Sequence, residues 1–108
     1  MVRVNGIDCD FADTTFKRFR GLMLKRNFKP LFFDFGKDSR NSCSLHTFFM
    51  LEPIDIVFIN SKKEIVDIQT AKPWLPLIRP KKKARYVLEL SAGKGKKFRL
   101  SSKATIKF

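Results

Sequence analysis

Two strand-like runs decide the fold: IDIVFI at residues 54–59 and YVLELS at residues 86–91. In the first run both faces are apolar, which is typical of a strand that is covered on both sides. Each run also contains one acidic residue, Asp55 or Glu89. A lone buried charge costs several kcal/mol unless it is paired or hydrogen-bonded, so both acids are candidate site residues.

The only histidine, His46, lies in a third strand-like run at residues 43–50. If these three strands are neighbours, His46, Asp55 and Glu89 can converge as an imidazole and two carboxylates, which suits general acid/base or metal chemistry. The alternative is that each is structural and is satisfied by backbone amides at a strand end or by an arginine such as Arg20. Cys43 and His46 point to opposite faces of a strand, so they are not expected to share a metal, and we expect no cofactor.

The remaining sequence contains one helical pattern and several short β-rich runs. Asn5-Gly6 between alternating residues predicts an N-terminal β-hairpin with a type I′ turn. Apolar residues at helical spacing after an N-cap candidate predict a helix over residues 13–25. Further strands are predicted at residues 31–35, 64–70, 98–100 and 105–108, with a polar loop at 36–41 and a hairpin loop at 60–63. We therefore predict a mainly β fold, a single-domain (residues 1–108) antiparallel β-sandwich or small barrel with one short helix.

The positive charge is concentrated in the second half of the chain. The net charge is +13, and residues 61–108 hold 14 Lys or Arg against 3 Asp or Glu, a net of +11. Such a charge attracts polyanions without defining specificity, and it can also serve solubility alone. We predict that two basic clusters on neighbouring turns contact an anionic partner, such as a polyanion or nucleic acid. The first cluster is Arg79, Lys81, Lys82, Lys83 and Arg85, and the second is Lys94, Lys96 and Lys97.

Residues 72–83 contain three prolines, which forbid regular strand pairing and predict a long loop. One interpretation is a solvated crossing connection that is pinned by Trp74. The other is a functional or mobile loop, in which Trp74 stacks on the bases of a nucleic acid.

No window approaches the ~20 apolar residues that a bilayer-spanning helix needs, and no apolar stretch follows the N-terminus as in a secretory signal. We therefore expect a cytoplasmic protein with no membrane partner, and a monomer is the favoured state. Two cysteines, Cys9 and Cys43, are too few for a disulfide framework and are expected to be reduced and buried.

The order of the motifs resembles a prokaryotic family, domain of unknown function 192, also called uncharacterised protein family 0127. GLM at residues 21–23, PIDIVF at residues 53–58 and YVLELSAG at residues 86–93 resemble its GLM, PLDIVF and YVLELPAG elements. Where many bacterial members carry Trp-Met-Lys-Asn-Thr, this chain has LHTFFM at residues 45–50, a form similar to that of archaeal members. The resemblance implies a mainly β domain with a short helix, and it implies no reaction.

Three functional hypotheses follow. The leading one is a small, basic, non-enzymatic binding or accessory module for an anionic partner. The second is a small enzyme or metal-binding protein that uses a pocket of His46, Asp55 and Glu89. The third is an assembly role through an exposed apolar patch.

Overall fold

In the described part of the chain, seven strands form one sheet that curls into a half-barrel. The computed structural model describes residues 2–12, 30–40, 52–74, 77–100 and 102–107. Its elements are β1 (Val2–Val4), β2 (Ile7–Ala12), β3 (Leu31–Ser39), β4 (Ile54–Ile59), β5 (Ile65–Ala71), β6 (Ala84–Ser91), a 3-10 helix (Lys96–Leu100) and β7 (Ile106–Lys107). The predicted mainly β class is confirmed. The helix predicted over 13–25 and the strand predicted over 43–50 lie outside the described residues.

The N-terminal hairpin has the predicted turn. Asn5 and Gly6 both have positive φ values, 48° and 81°, as a type I′ turn requires at its two central residues. Val4 then pairs directly with Ile7, and β1 and β2 run antiparallel. The hairpin loop predicted at residues 60–63 is also present, between the antiparallel strands β4 and β5.

The strand order is β5-β4-β6-β3-β2-β1-β7. The two runs that decide the fold, β4 and β6, are adjacent and antiparallel at the centre of the sheet, and every residue of β4 is buried. One pair departs from the predicted antiparallel arrangement, because β2 and β3 run parallel. Parallel strands need a long crossover connection, and residues 13–30 separate these two strands in the chain.

Each face of the sheet carries its own hydrophobic cluster, as the alternation of strand side chains requires. The first cluster is built around Phe33, Ile56, Phe58 and Val87. The second, on the opposite face, is built around Phe32, Val57, Leu88, Leu90 and Phe98. Both faces of β4 are therefore covered, which confirms the expectation from its sequence.

Two predicted boundaries are wrong. β3 continues past Phe35 to Ser39, where a polar loop was expected. The pairing of β3 with β6 shifts register between Asp34 and Ser39, and Gly36 in this stretch has a positive φ of 84°. Residues 98–100 belong to a 3-10 helix instead of a strand. The Phe98 amide donates to the Gly95 carbonyl at 3.0 Å, so the chain turns here, and Phe98 is buried in the second cluster.

Candidate anion-binding site

Asp55 fastens the turn that follows β6. Its Oδ2 accepts hydrogen bonds from the backbone amides of Gly93, at 2.9 Å, and Gly95, at 2.8 Å. Its Oδ1 accepts the hydroxyl hydrogen bond of Thr70, the residue directly opposite on β5, at 2.7 Å. This is the structural alternative weighed for Asp55, a carboxylate satisfied by backbone amides at a strand end. Hydrogen bonds to an ionised acceptor are the stronger kind, so the turn is firmly held.

Gly95 lies so close to Asp55 that it has no room for a side chain. A Cβ atom on Gly95 would stand 2.9 Å from Asp55 Oδ2 and 3.0 Å from Asp55 Cβ. Gly93, in the same turn, has open space around it but a positive φ of 93°. The two glycines are therefore required for different reasons, one for close approach and one for backbone conformation.

Three lysines of this region surround a cavity of about 530 Å³. Lys94 lies within the turn, between Gly93 and Gly95, and Lys96 and Lys97 begin the 3-10 helix directly after it. The apolar part of the lining comes from Ile7, Pro30 and Leu90. We call this the lysine pocket. It combines ammonium groups with an apolar floor, and this suits an anionic group that is attached to an apolar or aromatic body.

The second basic cluster does not join the lysine pocket. Lys81, Lys82 and Lys83 precede β6, whereas the lysine pocket follows it. The eight residues of β6 span about 23 Å at the usual rise per residue. The expectation that the two clusters occupy neighbouring turns is therefore wrong, and they lie at opposite ends of one strand.

Arg85, a candidate of the second cluster, is engaged in an ion pair. Its Nε donates to Asp34 Oδ1 at 2.9 Å, its Nη2 donates to Asp34 Oδ2 at 3.2 Å, and its guanidinium lies 5.0 Å from the centre of the Tyr86 ring. Burial opposes ionisation of Asp34, but hydrogen bonds from Arg85 and the Gly36 amide, with the Arg85 charge, hold the pKa of this carboxyl below its usual value. The charge of Arg85 is therefore largely compensated within the fold.

Asp55 and Glu89 do not share a pocket. Asp55 pairs with Leu90 across β4 and β6, and Glu89 pairs with Ile56, so the two carboxylates point to opposite faces of the sheet. Their predicted convergence is wrong, because the strands are neighbours in a register that offsets the two acids by one residue. His46 lies outside the described residues, and the roles suggested for these three residues stay predictions.

Burial gives Glu89 an unusual pKa. It lies on the face of the first hydrophobic cluster, between Ile56 on β4 and Leu31 on β3, and desolvation raises its pKa from 4.5 to about 8. A buried carboxyl is cheaper to keep neutral than ionised, so Glu89 is protonated in the folded protein at neutral pH.

This pKa predicts an unusual pH dependence of stability. The unfolded chain loses the Glu89 proton near pH 4.5 and the folded protein near pH 8, so between these values the folded state binds more protons. The contribution of Glu89 to the unfolding free energy should therefore be full below pH 4.5 and fall by several kcal/mol as pH rises to 8. In Glu89→Gln this decline should disappear, whereas the exposed Glu64→Gln should keep it. Urea unfolding from pH 4.5 to 9 measures both, and equal slopes in wild type and Glu89→Gln would refute the assignment.

The described ranges hold no group of three or more His, Cys, Asp or Glu placed to bind a metal ion. Within the same ranges no helix is long and apolar enough to cross a membrane. Cys9 is buried, as expected, and its thiol donates to the Ile7 carbonyl at 3.3 Å.

The fold and the site together define a class of protein: a small β half-barrel in which an aspartate carboxylate binds the amides of a glycine-containing turn that carries lysines. The chain belongs to the family domain of unknown function 192, described as "Uncharacterized ACR", whose model matches residues 2–108. This confirms the resemblance seen in the GLM, PIDIVF and YVLELSAG elements.

The curated relatives are archaeal proteins of uncharacterised protein family 0127. A protein of Thermococcus sibiricus is 46% identical over 83 residues, covering 76% of this chain and 53% of the relative. A protein of Pyrococcus furiosus is 42% identical over 83 residues, covering 77% of this chain and 71% of the relative. The chain thus spans about half the length of the Thermococcus relative that it matches.

Two solved structures share the fold. One is the crystal structure of a Sinorhizobium meliloti protein that is described as a candidate transcription regulator. It matches with a TM-score of 0.80 and 26% sequence identity, and the match covers 98% of this chain and 90% of the Sinorhizobium chain. A protein of unknown function from Novosphingobium aromaticivorans has a TM-score of 0.81 and 17% identity and covers 99% of this chain and 83% of its own. The second likeness concerns the fold alone.

Proposed function

We propose that this protein is a binding module that takes an anionic partner at the lysine pocket. The observation that carries the proposal is the arrangement of Asp55, Gly93 and Gly95, which fixes the turn leading to three lysines beside an apolar floor. A preformed site loses less conformational entropy on binding than lysines on an unrestrained loop. The site needs only ammonium groups and backbone, so a phosphate or carboxylate is the natural recognised group.

A single-stranded nucleic acid is the anionic partner we favour. Its phosphates would contact Lys94, Lys96 and Lys97, and a neighbouring base would lie on the apolar floor formed by Ile7 and Pro30. The Sinorhizobium meliloti protein, whose fold matches over almost the whole chain, is described as a candidate transcription regulator, and this supports nucleic acid in general as the first probe. The net charge of +11 over residues 61–108 adds long-range attraction.

A salt series with a charge-matched control tests the proposal. Three phosphate contacts on single-stranded DNA give a slope of about −2 in a plot of log affinity against log salt, or a loss of roughly 20-fold between ~50 and ~200 mM. The triple variant Lys94→Gln, Lys96→Gln, Lys97→Gln should remove most of this slope. The control, Lys81→Gln, Lys82→Gln, Lys83→Gln, makes the same change in charge at the other end of β6 and should keep it.

Fluorescence anisotropy of a labelled mixed-sequence oligonucleotide gives both affinities and slopes. Equal losses in the two triple variants would show a general effect of net charge and would reject a site at the lysine pocket. Absence of binding at ~50 mM salt, where phosphate contacts are strongest, would reject the nucleic-acid partner.

A further inference from the structure

Two large apolar side chains are exposed on the loop between β5 and β6. Trp74 is 57% exposed and Leu77 is 53% exposed, and these are the large hydrophobic residues that the described part of the chain leaves in solvent. They lie three positions apart. Scattered exposed apolar residues are ordinary, but a tryptophan and a leucine together on one loop mark a contact surface.

The loop is held in place on both sides of this pair. Ala71 before it and Ile78 after it are buried in the first hydrophobic cluster, at 3% and 5% exposure. The return of the chain beside β5 is fixed by two hydrogen bonds: the Gln69 side chain donates to the Arg79 carbonyl at 2.6 Å, and the Lys81 amide donates to Asp67 Oδ2 at 3.0 Å. Because the Ile78 side chain is buried, the neighbouring Leu77 side chain points to solvent.

Trp74 also has a strained backbone, with a φ of 67°. Residues other than glycine pay a penalty in this left-handed region, and such strain persists where the surrounding structure imposes it. Ile78 is buried and holds the loop on the domain, whereas Trp74 is 57% exposed. A pinning role for Trp74 stays a prediction.

The charged residues near the pair in the sequence are all basic. Residues 68–88 contain no Asp or Glu. Lys72 and Arg79 each lie two residues from one member of the pair, within about 7 Å along the chain. Exposed basic residues of this loop are Lys72, Arg79, Lys81, Lys82 and Lys83.

We propose that this loop binds the surface of an anionic lipid bilayer, with Trp74 and Leu77 entering the headgroup region and the lysines facing the lipid phosphates. Tryptophan favours that interface, and basic residues beside it add electrostatic attraction to anionic lipid. Both Trp74 and Leu77 can enter the headgroup region, whereas only Trp74 offers an aromatic face to a base, so a bilayer is the occupant that uses the whole pair. The sequence-based expectation of no membrane partner considered only a segment that spans the bilayer, whereas this contact is peripheral. The loop leaves β5 at the same end of the sheet as the lysine pocket, because Ala71 pairs with Ile54 and Ile54 with Ser91. The two sites lie on different faces: Ile78 of the loop packs in the first hydrophobic cluster, whereas Leu90 of the lysine pocket belongs to the second.

Trp74 is the only tryptophan, so its fluorescence reports on the loop directly. The protein is titrated at ~50 mM salt, where electrostatic attraction is strongest, with vesicles of phosphatidylcholine alone and with vesicles containing about one-third phosphatidylglycerol. We expect a blue shift and quenching by brominated acyl chains with the anionic vesicles only.

Leu77→Ser should weaken vesicle binding about fivefold. The triple variant Lys81→Gln, Lys82→Gln, Lys83→Gln should weaken it about 100-fold. The charge-matched variant Lys94→Gln, Lys96→Gln, Lys97→Gln should keep wild-type binding.

Three results would overturn the proposal. The first is no quenching by brominated chains in anionic vesicles. The second is a Trp74 response to an oligonucleotide without a response to vesicles, which would make this loop a base-stacking surface. The third is equal weakening in both lysine triple variants, which would show a general effect of net charge. Leu77 is exposed, so Leu77→Ser should fold, and circular dichroism of each variant confirms that binding is compared between folded proteins.

Discussion

Asp55→Ala is expected to lower the free energy of unfolding by about 5 kcal/mol. The substitution removes three hydrogen bonds to a carboxylate, each worth about 1.5–3 kcal/mol, and leaves the amides of Gly93 and Gly95 without their acceptor. The Gly95 amide is buried, so water does not easily replace the lost carboxylate. Equilibrium unfolding in guanidinium chloride at pH 7 measures the loss.

The matched control is Asp8→Ala, which removes an ion pair with Arg3 in which both side chains are about half exposed. Exposed pairs contribute about 1 kcal/mol or less, so this variant should unfold close to wild type. If the two variants lost similar stability, Asp55 would not be an anchor of the turn. A catalytic Asp55 would show the opposite pattern, because replacing a residue that serves chemistry alone leaves stability unchanged or raised.

Gly95→Ala is expected to cost about 2–3 kcal/mol. The new Cβ would meet Asp55 Oδ2 at 2.9 Å, Asp55 Cβ at 3.0 Å and Asp55 Cγ at 3.2 Å, so the turn must move away from the carboxylate. Gly93→Ala meets nothing within 4 Å, and its cost of about 1–2 kcal/mol comes only from the positive φ.

Asparagine separates these two causes. It tolerates a positive φ better than alanine does, so Gly93→Asn should recover part of the loss, whereas Gly95→Asn should be at least as unstable as Gly95→Ala. Thermal unfolding of the four variants measures this order. Recovery at position 95 would contradict the steric account of that glycine.

The strands could be predicted because their information is local. Alternation and turn residues identify the hairpin at Asn5-Gly6 and the buried strands β4 and β6 without knowledge of their partners. The three-residue run at 98–100 is too short for its period to separate a strand from a turn of helix, and there the prediction failed. The parallel pairing of β2 with β3 depends on a connection that no local pattern specifies.

The site could be predicted only in part. The sequence identified Asp55 and Glu89 as unusual, because each is an acid inside a strand-like apolar run. The register between β4 and β6 joins distant segments, and a shift of one residue there decides whether the two acids meet. Thr70 and the floor residues Ile7 and Pro30 were missed for the same reason. The spacing of Gly93 and Gly95 was a signal of close backbone approach that could have directed attention to Asp55.

Hydrogen exchange at the amides of Gly93 and Gly95 tests most directly the claim that Asp55 builds the lysine-bearing turn. Both amides are bound to Asp55 Oδ2, so in wild type they should exchange slowly compared with an unstructured turn. In Asp55→Ala, which removes the acceptor, their protection should be lost, while amides in the centre of β6 remain protected. Fast exchange of the Gly95 amide in the wild-type protein, or unchanged protection in Asp55→Ala, would contradict the account.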